Sequence, residues 1–363
     1  MPQSALYRCP CCGSALTFGG LSQQLDCASC GNSFPLETMQ AVAELPTESN
    51  EELQWAGASE DAFTPQESSQ LKAYHCQSCG AQILTDGTTA ATECVYCGNP
   101  SILPDVLSGA YRPDGVIPFQ KTKEEAKAAF RRHCAHKPLL PKGFADESRL
   151  DKITGVYVPF WLFRTGAQAD FTYKATKVSS HISGRYLVTE TRHFLLHRGG
   201  EMGFHEVPVD GSSKMEDALM ESLEPFTYSA VKGFDIAFLS GYQAQRYDVD
   251  AAKCQPRADE RIRKTVTDVM RGSVMGYSSV VSNSSRIDLI NSSVSQVLMP
   301  VWLLNTRWRD KIYTFAMNGQ TGQLIGDLPT DKGRFWSWLL GLAGGIAAGG
   351  WALLFLLYSL GGL

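Results

Sequence analysis

The sequence predicts a multi-domain fold: two small β modules built on cysteine knuckles, an α+β body, and one C-terminal transmembrane helix. Three observations carry this reading. Eight of the eleven cysteines fall in four C-x-x-C pairs before residue 98. Helix and strand signals are mixed from residue 111 to residue 330. The last 29 residues, Phe335–Leu363, contain no charged side chain. At 363 residues, 44% apolar and 19% charged, the chain has the composition of a folded protein. That length leaves room for roughly two to three domains.

The first module (residues 1–36) runs Cys9-Pro-Cys-Cys12-Gly, thirteen residues, then Cys27-Ala-Ser-Cys30-Gly. The second (72–110) runs Cys76-Gln-Ser-Cys79-Gly, thirteen residues, then Cys94-Val-Tyr-Cys97-Gly. Identical spacing marks a duplicated unit. Zinc takes four soft thiolates in a tetrahedron, which two C-x-x-C knuckles supply. Gly13, Gly31, Gly80 and Gly98 follow the knuckles, where a permissive backbone can turn tightly around a metal. Leu16–Phe18 with Gly19-Gly20, and Ile83–Thr85 with Asp86-Gly87, read as strands breaking into hairpin turns. The expectation is two small β zinc ribbons. Cys9, Cys12, Cys27 and Cys30 hold one Zn2+, and Cys76, Cys79, Cys94 and Cys97 the other. Cys11 competes with Cys12 but lacks its spacing and its following glycine. With all four positions filled by protein, both sites are closed and structural. No apolar signal stretch opens the chain, so paired knuckles point to metal in a reducing cytoplasm rather than to disulfides.

Residues 37–71 are acidic, contain Pro46 and Pro65 and carry little periodicity, which reads as a flexible linker with a helical turn near Trp55. In the body, 111–330, Thr122-x-x-Glu125 is a capping box opening a helix that Pro138 ends. Ser213-x-x-Glu216 opens another, up to Pro225. Ala258 to Met270 places Ala258, Ile262, Val266, Val269 and Met270 on one helical face. Strand-like runs are Val156–Phe163, Asp170–Thr176, Tyr186–His197, Ser278–Ile290, Leu298–Trp308 and the hairpin Ile312–Ile325, which turns at Asn318-Gly319. The hexamers Val158-Pro-Phe-Trp161-Leu-Phe and Met299-Pro-Val-Trp302-Leu-Leu recur, an indication of internal duplication in the body. Trp161 and Trp302 read as core.

About twenty apolar residues cross a hydrocarbon core, so the terminal stretch is long enough to span, with 335–360 as the helix. Trp336, Trp338, Trp351 and Tyr358 supply interfacial aromatics. Lys332 and Arg334 precede it and no charged side chain follows, so the positive-inside rule leaves the N-terminal region in the cytoplasm. This is the arrangement of a single-pass, tail-anchored protein of the cytoplasmic membrane. Gly341, Gly345 and Gly349 share one face, the pattern that lets a second copy or another membrane helix approach closely.

The net charge of −4 conceals an asymmetry: residues 1–111 hold twelve acids and two bases, the remaining 252 residues 31 bases and 25 acids. Nucleic-acid binding draws on Lys and Arg to neutralise phosphates, and a zinc with four thiolates adds further negative charge. The ribbons are therefore poor ligands for DNA or RNA and fit a protein partner better. Enzyme signatures are weak. His133, Cys134 and His136 lie at the end of a charged helix, where solvated side chains are the default. His193 and His197 on one strand would be ~13 Å apart, too far to share an ion. No phosphate loop, G-x-S-x-G or H-E-x-x-H occurs.

Taken together the chain resembles the bacterial TFIIB-type zinc-ribbon membrane proteins. The resemblance rests on Thr89-Ala-Ala-Thr-Glu-Cys94-Val-Tyr-Cys97-Gly-Asn-Pro100, Val116-Ile-Pro-Phe119, Leu139-Leu-Pro-Lys-Gly-Phe144 and Gly155-Val-Tyr-Val-Pro-Phe-Trp161. Further matching stretches are Val207-Pro-Val-Asp-Gly-Ser212, Leu223-Glu-Pro-Phe226, Gly241-Tyr242, Arg246-Tyr-Asp-Val-Asp250 and Met317-Asn-Gly-Gln-Thr-Gly322. It implies a recruiting platform beside PspA-like and SPFH/flotillin-like proteins in envelope stress. The reading that follows is a non-enzymatic, membrane-anchored adaptor that recruits or scaffolds protein partners. Its rival is a membrane-tethered transcription or RNA-polymerase-binding regulator, which the acid excess disfavours.

Overall fold

The computed structural model describes residues 7–11, 14–20, 22–43, 53–58, 61–87, 93–100, 102–105, 111–146, 150–309 and 311–359. In chain order the strands are β1 (Thr17–Gly19), β2 (Gln24–Asp26), β3 (Ser33–Pro35), β4 (Lys72–Cys76), β5 (Gln82–Thr85), β6 (Ile102–Asp105) and β7 (Gly115–Val116). They continue with β8 (Thr154–Ser183), β9 (Tyr186–Asp210), β10 (Lys232–Gly233), β11 (Gln243–Gln245), β12 (Ser279–Trp308), β13 (Lys311–Asn318) and β14 (Leu324–Gly326). The helices are α1 (Leu36–Ala43), α2 (Pro65–Gln70), α3 (Lys123–Cys134), α4 (Asp217–Glu221), α5 (Ala251–Gly272) and α6 (Lys332–Ser359). Two compact units result: Met1–Gly57 with Phe163–Val207 and Gln255–Val294, and Ala58–Leu162 with Pro208–Cys254 and Ser295–Leu363.

In the first unit, β1, β2 and β3 form a small antiparallel sheet. Met39 of α1 is buried with Cys9, Leu16, Leu25 and Cys27. Alternate residues of β8 (Ala167, Ala169, Phe171 and Tyr173) form one buried face, as a half-covered strand requires. That face meets Ile262, Val266 and Met270 of α5. Spacing of four residues puts these side chains, with Ala258, on one stripe. Val269 does not belong to it and is 53% exposed.

The second unit is ordered β10-β7-β12-β8-β11-β5-β4-β6, with β13 pairing β12 and β14 pairing β13. On one side α3 buries Ala126, Ala129 and Phe130 among Trp302, Leu304, Phe315 and Met317. Its start is the expected capping box: Glu125 N–H donates to Thr122 Oγ1 at 3.3 Å, and Thr122 N–H to Glu125 Oε2 at 2.8 Å. The two related hexamers lie in the neighbouring strands β8 and β12. Each tryptophan is buried and donates its indole N–H to a carbonyl, Trp161 to Val249 and Trp302 to Lys121, both at 2.9 Å.

Several expectations are corrected. Segment 37–71 is not one linker. It carries α1 and α2, and Thr64 with Glu67 forms a capping box that the sequence reading passed over. Residues 53–58 have no helical turn: Leu53 is buried, and Trp55 Nε1 donates to Asp259 Oδ1 at 2.7 Å. Ser213 does not cap a helix; its hydroxyl donates to Asp248 Oδ2 at 2.6 Å, and α4 covers only Asp217–Glu221. Helix α5 begins at Ala251 and runs through Pro256, whose missing N–H removes one bond near the helix start. Strands expected as separate pieces fuse into β8 and β12. Glu206 and Asn291 take positive φ inside β9 and β12. Such local irregularities break the alternation by which a strand is read.

Position along α5 yields a direct test. Ile262→Ala should cost roughly 2–5 kcal/mol of stability, and Val269→Ala at most about 0.5 kcal/mol. Denaturant unfolding of the two full-length variants in detergent measures both.

Candidate metal centres

The backbone assembles the cysteines by repeating one turn. Cys27 N–H donates to Asn32 O at 2.8 Å and Gly31 N–H to Cys27 O at 2.9 Å. Cys76 N–H donates to Ala81 O and Gly80 N–H to Cys76 O, both at 2.9 Å. Cys94 N–H reaches Asn99 O at 2.9 Å and Gly98 N–H reaches Cys94 O at 2.8 Å. Gly31, Gly80 and Gly98 sit at φ 71°, 72° and 70°, where a side chain would be strained. Cys12 and Gly13 lie outside the described residues.

Each turn holds its two thiols side by side. The Sγ atoms of Cys76, Cys79, Cys94 and Cys97 all lie within 4.8 Å of one another, and those of Cys9, Cys27 and Cys30 do likewise. Cys9–Cys30, Cys76–Cys97 and Cys79–Cys94 stand 3.6 Å apart, well beyond the ~2.0 Å of a disulfide. Among the described residues Cys11 joins neither group. The donor set is all sulfur and fits a soft or borderline divalent ion in tetrahedral coordination. Both clusters could hold a metal, and in the second the four ligands are protein side chains.

The electrostatics point the same way. Burial pushes the Cys79 and Cys94 thiols up. Burial also opposes ionisation of Cys76, but the backbone N–H groups of Cys79 and Ser78 aimed at its sulfur bring it down to about 7. Four crowded thiols cannot all ionise without a cation among them. A metal would displace their protons, so affinity should fall as pH falls.

The second cluster is built into the core of its unit, which moves the expected boundary at 110. Cys76, Ala81 and Cys94 pack with Val156, Val158 and Met299. Strand β5 pairs with β11 through Ala244↔Leu84 and Gln245↔Ile83. Asn305 Nδ2 donates to the carbonyls of Val95 and Tyr96, at 2.5 and 2.9 Å, clasping the knuckle between Cys94 and Cys97. Tyr96 Oη donates to Gln245 Oε1 at 2.5 Å, and Gln245 Nε2 donates to Ser212 Oγ at the same distance. Asn305, Gln245 and Ser212 were missed by the sequence reading. The one available signal was Asn305, a polar residue closing the apolar run Met299–Leu304.

Other singled-out residues are not gathered into a site. His133 Nε2 lies 3.1 Å from Gly326 O. Cys134 is buried, and burial lifts its thiol to about 11, the opposite of an activated nucleophile. His197 Nε2 contacts Asp170 Oδ1 at 3.1 Å. Along Lys332–Leu356, α6 is long and apolar enough to cross a membrane. Its base is fixed within the second unit: Arg334 N–H donates to Asp331 Oδ1 at 3.0 Å and Arg334 Nη1 to Leu140 O at 2.6 Å. Gly341, Gly345 and Gly349 have open space beside them.

The clasp predicts a selective effect. Asn305→Ala strips two carbonyls of their donor and should cost about 1–3 kcal/mol. A chelator should then extract metal faster from the second cluster and at an unchanged rate from the first, as read by metal release against a colorimetric thiol-competing dye.

The chain is similar to "Uncharacterized protein YdjG" of Bacillus subtilis (strain 168), with 37% identity over 339 residues, 93% of this chain and 94% of that protein. No family model matches. No solved structure matches either.

Proposed function

We propose that this chain, which belongs to the same family as YdjG, is a non-enzymatic adaptor anchored in the cytoplasmic membrane by α6, with one zinc ion in each cysteine cluster. One observation carries the anchor. Leu340, Ile346, Trp351 and Phe355 are all exposed along α6, and none of its apolar window is buried in the protein. That surface requires hydrocarbon around it. The positive-inside rule then keeps both units in the cytoplasm, and the glycine face of Gly341, Gly345 and Gly349 is where a second copy or another membrane helix would pack.

The two clusters divide the work. The second is enclosed by its own unit and serves as a structural pin. The first sits in a small module that exposes Phe18 and Leu36, in a segment whose charged residues are nearly all acidic. Four thiolates on a zinc leave a net negative charge, which with two exposed apolar side chains fits a protein with a complementary basic patch. PspA-like and SPFH/flotillin-like proteins are the partners implied by the resemblance, with envelope stress as the setting.

A fluorescent PspA-like protein expressed with the full chain should collect at the membrane. Phe18→Asp with Leu36→Asp should abolish that collection while the chain itself stays membrane-bound. Unchanged collection would refute docking through the first module. Zinc chelation should release the partner and leave the chain in the membrane fraction.

A further inference from the structure

Strands β8 and β9 continue past the rest of their sheet. Ser278 N–H donates to Thr176 O at 2.7 Å, and Val178 N–H to Ser278 Oγ at 2.9 Å. Strand β12 starts at Ser279, so among the described residues nothing flanks β8 beyond this point except β9. Residues 179–190 are a two-stranded arm. It turns over Gly184-Arg185, with Gly184 at φ 64°, the geometry of a two-residue type II′ hairpin. Ser180 Oγ and Thr189 Oγ1, 2.9 Å apart, confirm the register.

The end of this arm is apolar on both faces. That register sets Ile182 against Leu187 on one face and leaves Tyr186 and Val188 on the other. Ile182, Tyr186 and Leu187 are 79%, 77% and 71% exposed. A two-stranded hairpin in water does not ordinarily spend three large apolar side chains this way. The charge around them has one sign. Residues 171–200 contain Lys174, Lys177, Arg185, Arg192 and Arg198, three histidines, and a single acid. That acid, Glu190, is paired with Arg192 at 2.7 Å. Within the arm Arg185 stands at the turn, and Lys174, Lys177, Arg192 and Arg198 lie at its base.

We propose that the β8–β9 tip inserts into the interface of an anionic lipid bilayer. A protein groove would cover one face of the ribbon, whereas a lipid interface surrounds both. Three residues per strand reach ~10 Å, comparable with the ~5–10 Å depth of interfacial insertion. Tyr186 suits the headgroup level. Arg185 at the turn and Lys177 further down the strand keep their charged ends among anionic headgroups. The proposal rests on the membrane reading of α6, because that helix supplies the bilayer.

The test uses the full chain in lipid nanodiscs made with brominated acyl chains, with and without phosphatidylglycerol. A fluorescent amino acid is placed at position 182 in one sample and at position 340 in another. The expected result is strong quenching at 340 in all discs, and at 182 only when phosphatidylglycerol is present. Lys177→Gln with Arg185→Gln should restore emission at 182, since two basic groups at ~1 kcal/mol each amount to a roughly thirtyfold loss of partitioning. Quenching at 340 without quenching at 182 overturns the insertion and leaves α6 standing; an acidic protein would then be the better occupant. Quenching at neither position overturns both readings. Equal quenching at 182 in both lipids overturns the anionic requirement.

Discussion

Four crowded thiols, two buried and two half-buried, are a demanding constraint, and the second unit is arranged around it. Neutral thiols at Cys76, Cys79, Cys94 and Cys97 would leave a soft polar void. Ionised ones would be untenable without a cation. A bound zinc, as proposed, makes the cluster a cross-link joining two turns eighteen residues apart in their first cysteines, Cys76 and Cys79 on one side and Cys94 and Cys97 on the other. Cross-links of this kind supply folding free energy to a module too small to own a core. Here the module also lends that rigidity outward, through β5 to β11 and through the knuckle carbonyls to Asn305.

The polar groups near the cluster are satisfied in series. Tyr96, Gln245 and Ser212 form a buried chain. The Ser213 hydroxyl and N–H, with Lys214, hold the Asp248 carboxyl low against the opposing effect of burial. Networks of this type specify one arrangement of a core because a half-satisfied version is costly. Among the described residues the first cluster packs with Leu16, Leu25 and Met39, and Cys30 is exposed. On the proposed reading, identical spacing is put to two uses, one as an internal pin and the other as a small platform with its own surface.

Much of this was legible in the sequence. The knuckles are local: a glycine of positive φ after Cys30, Cys79 and Cys97 fixes the turn, whatever the body does. Thr122 with Glu125 announced α3 for the same reason, because a cap involves only neighbours. The failures share a cause as well. Ser213 had the right spacing for a cap, yet Asp248 offered its hydroxyl and N–H a stronger acceptor from far along the chain. The segment 37–71 looked like a linker because Leu53 and Trp55 find their partners some two hundred residues away. The boundary drawn at 110 ignored β-pairing between β5 and β11, which no local pattern records. Long-range partners decide these elements, and one sequence does not display them.

Among the described residues α6 and the end of the β8–β9 arm each expose large apolar side chains, and lipid is the proposed covering for each. The pin at the second cluster is the more basic claim, since a platform held at a membrane needs a rigid base. Hydrogen exchange of the full chain, before and after both metals are removed by a chelator, tests it most directly. The account predicts that amides of β5, β11 and the knuckle after Cys94 lose their protection, while α5 in the other unit keeps its own. Unchanged protection in β5 and β11, with the second cluster shown to be empty, would contradict it.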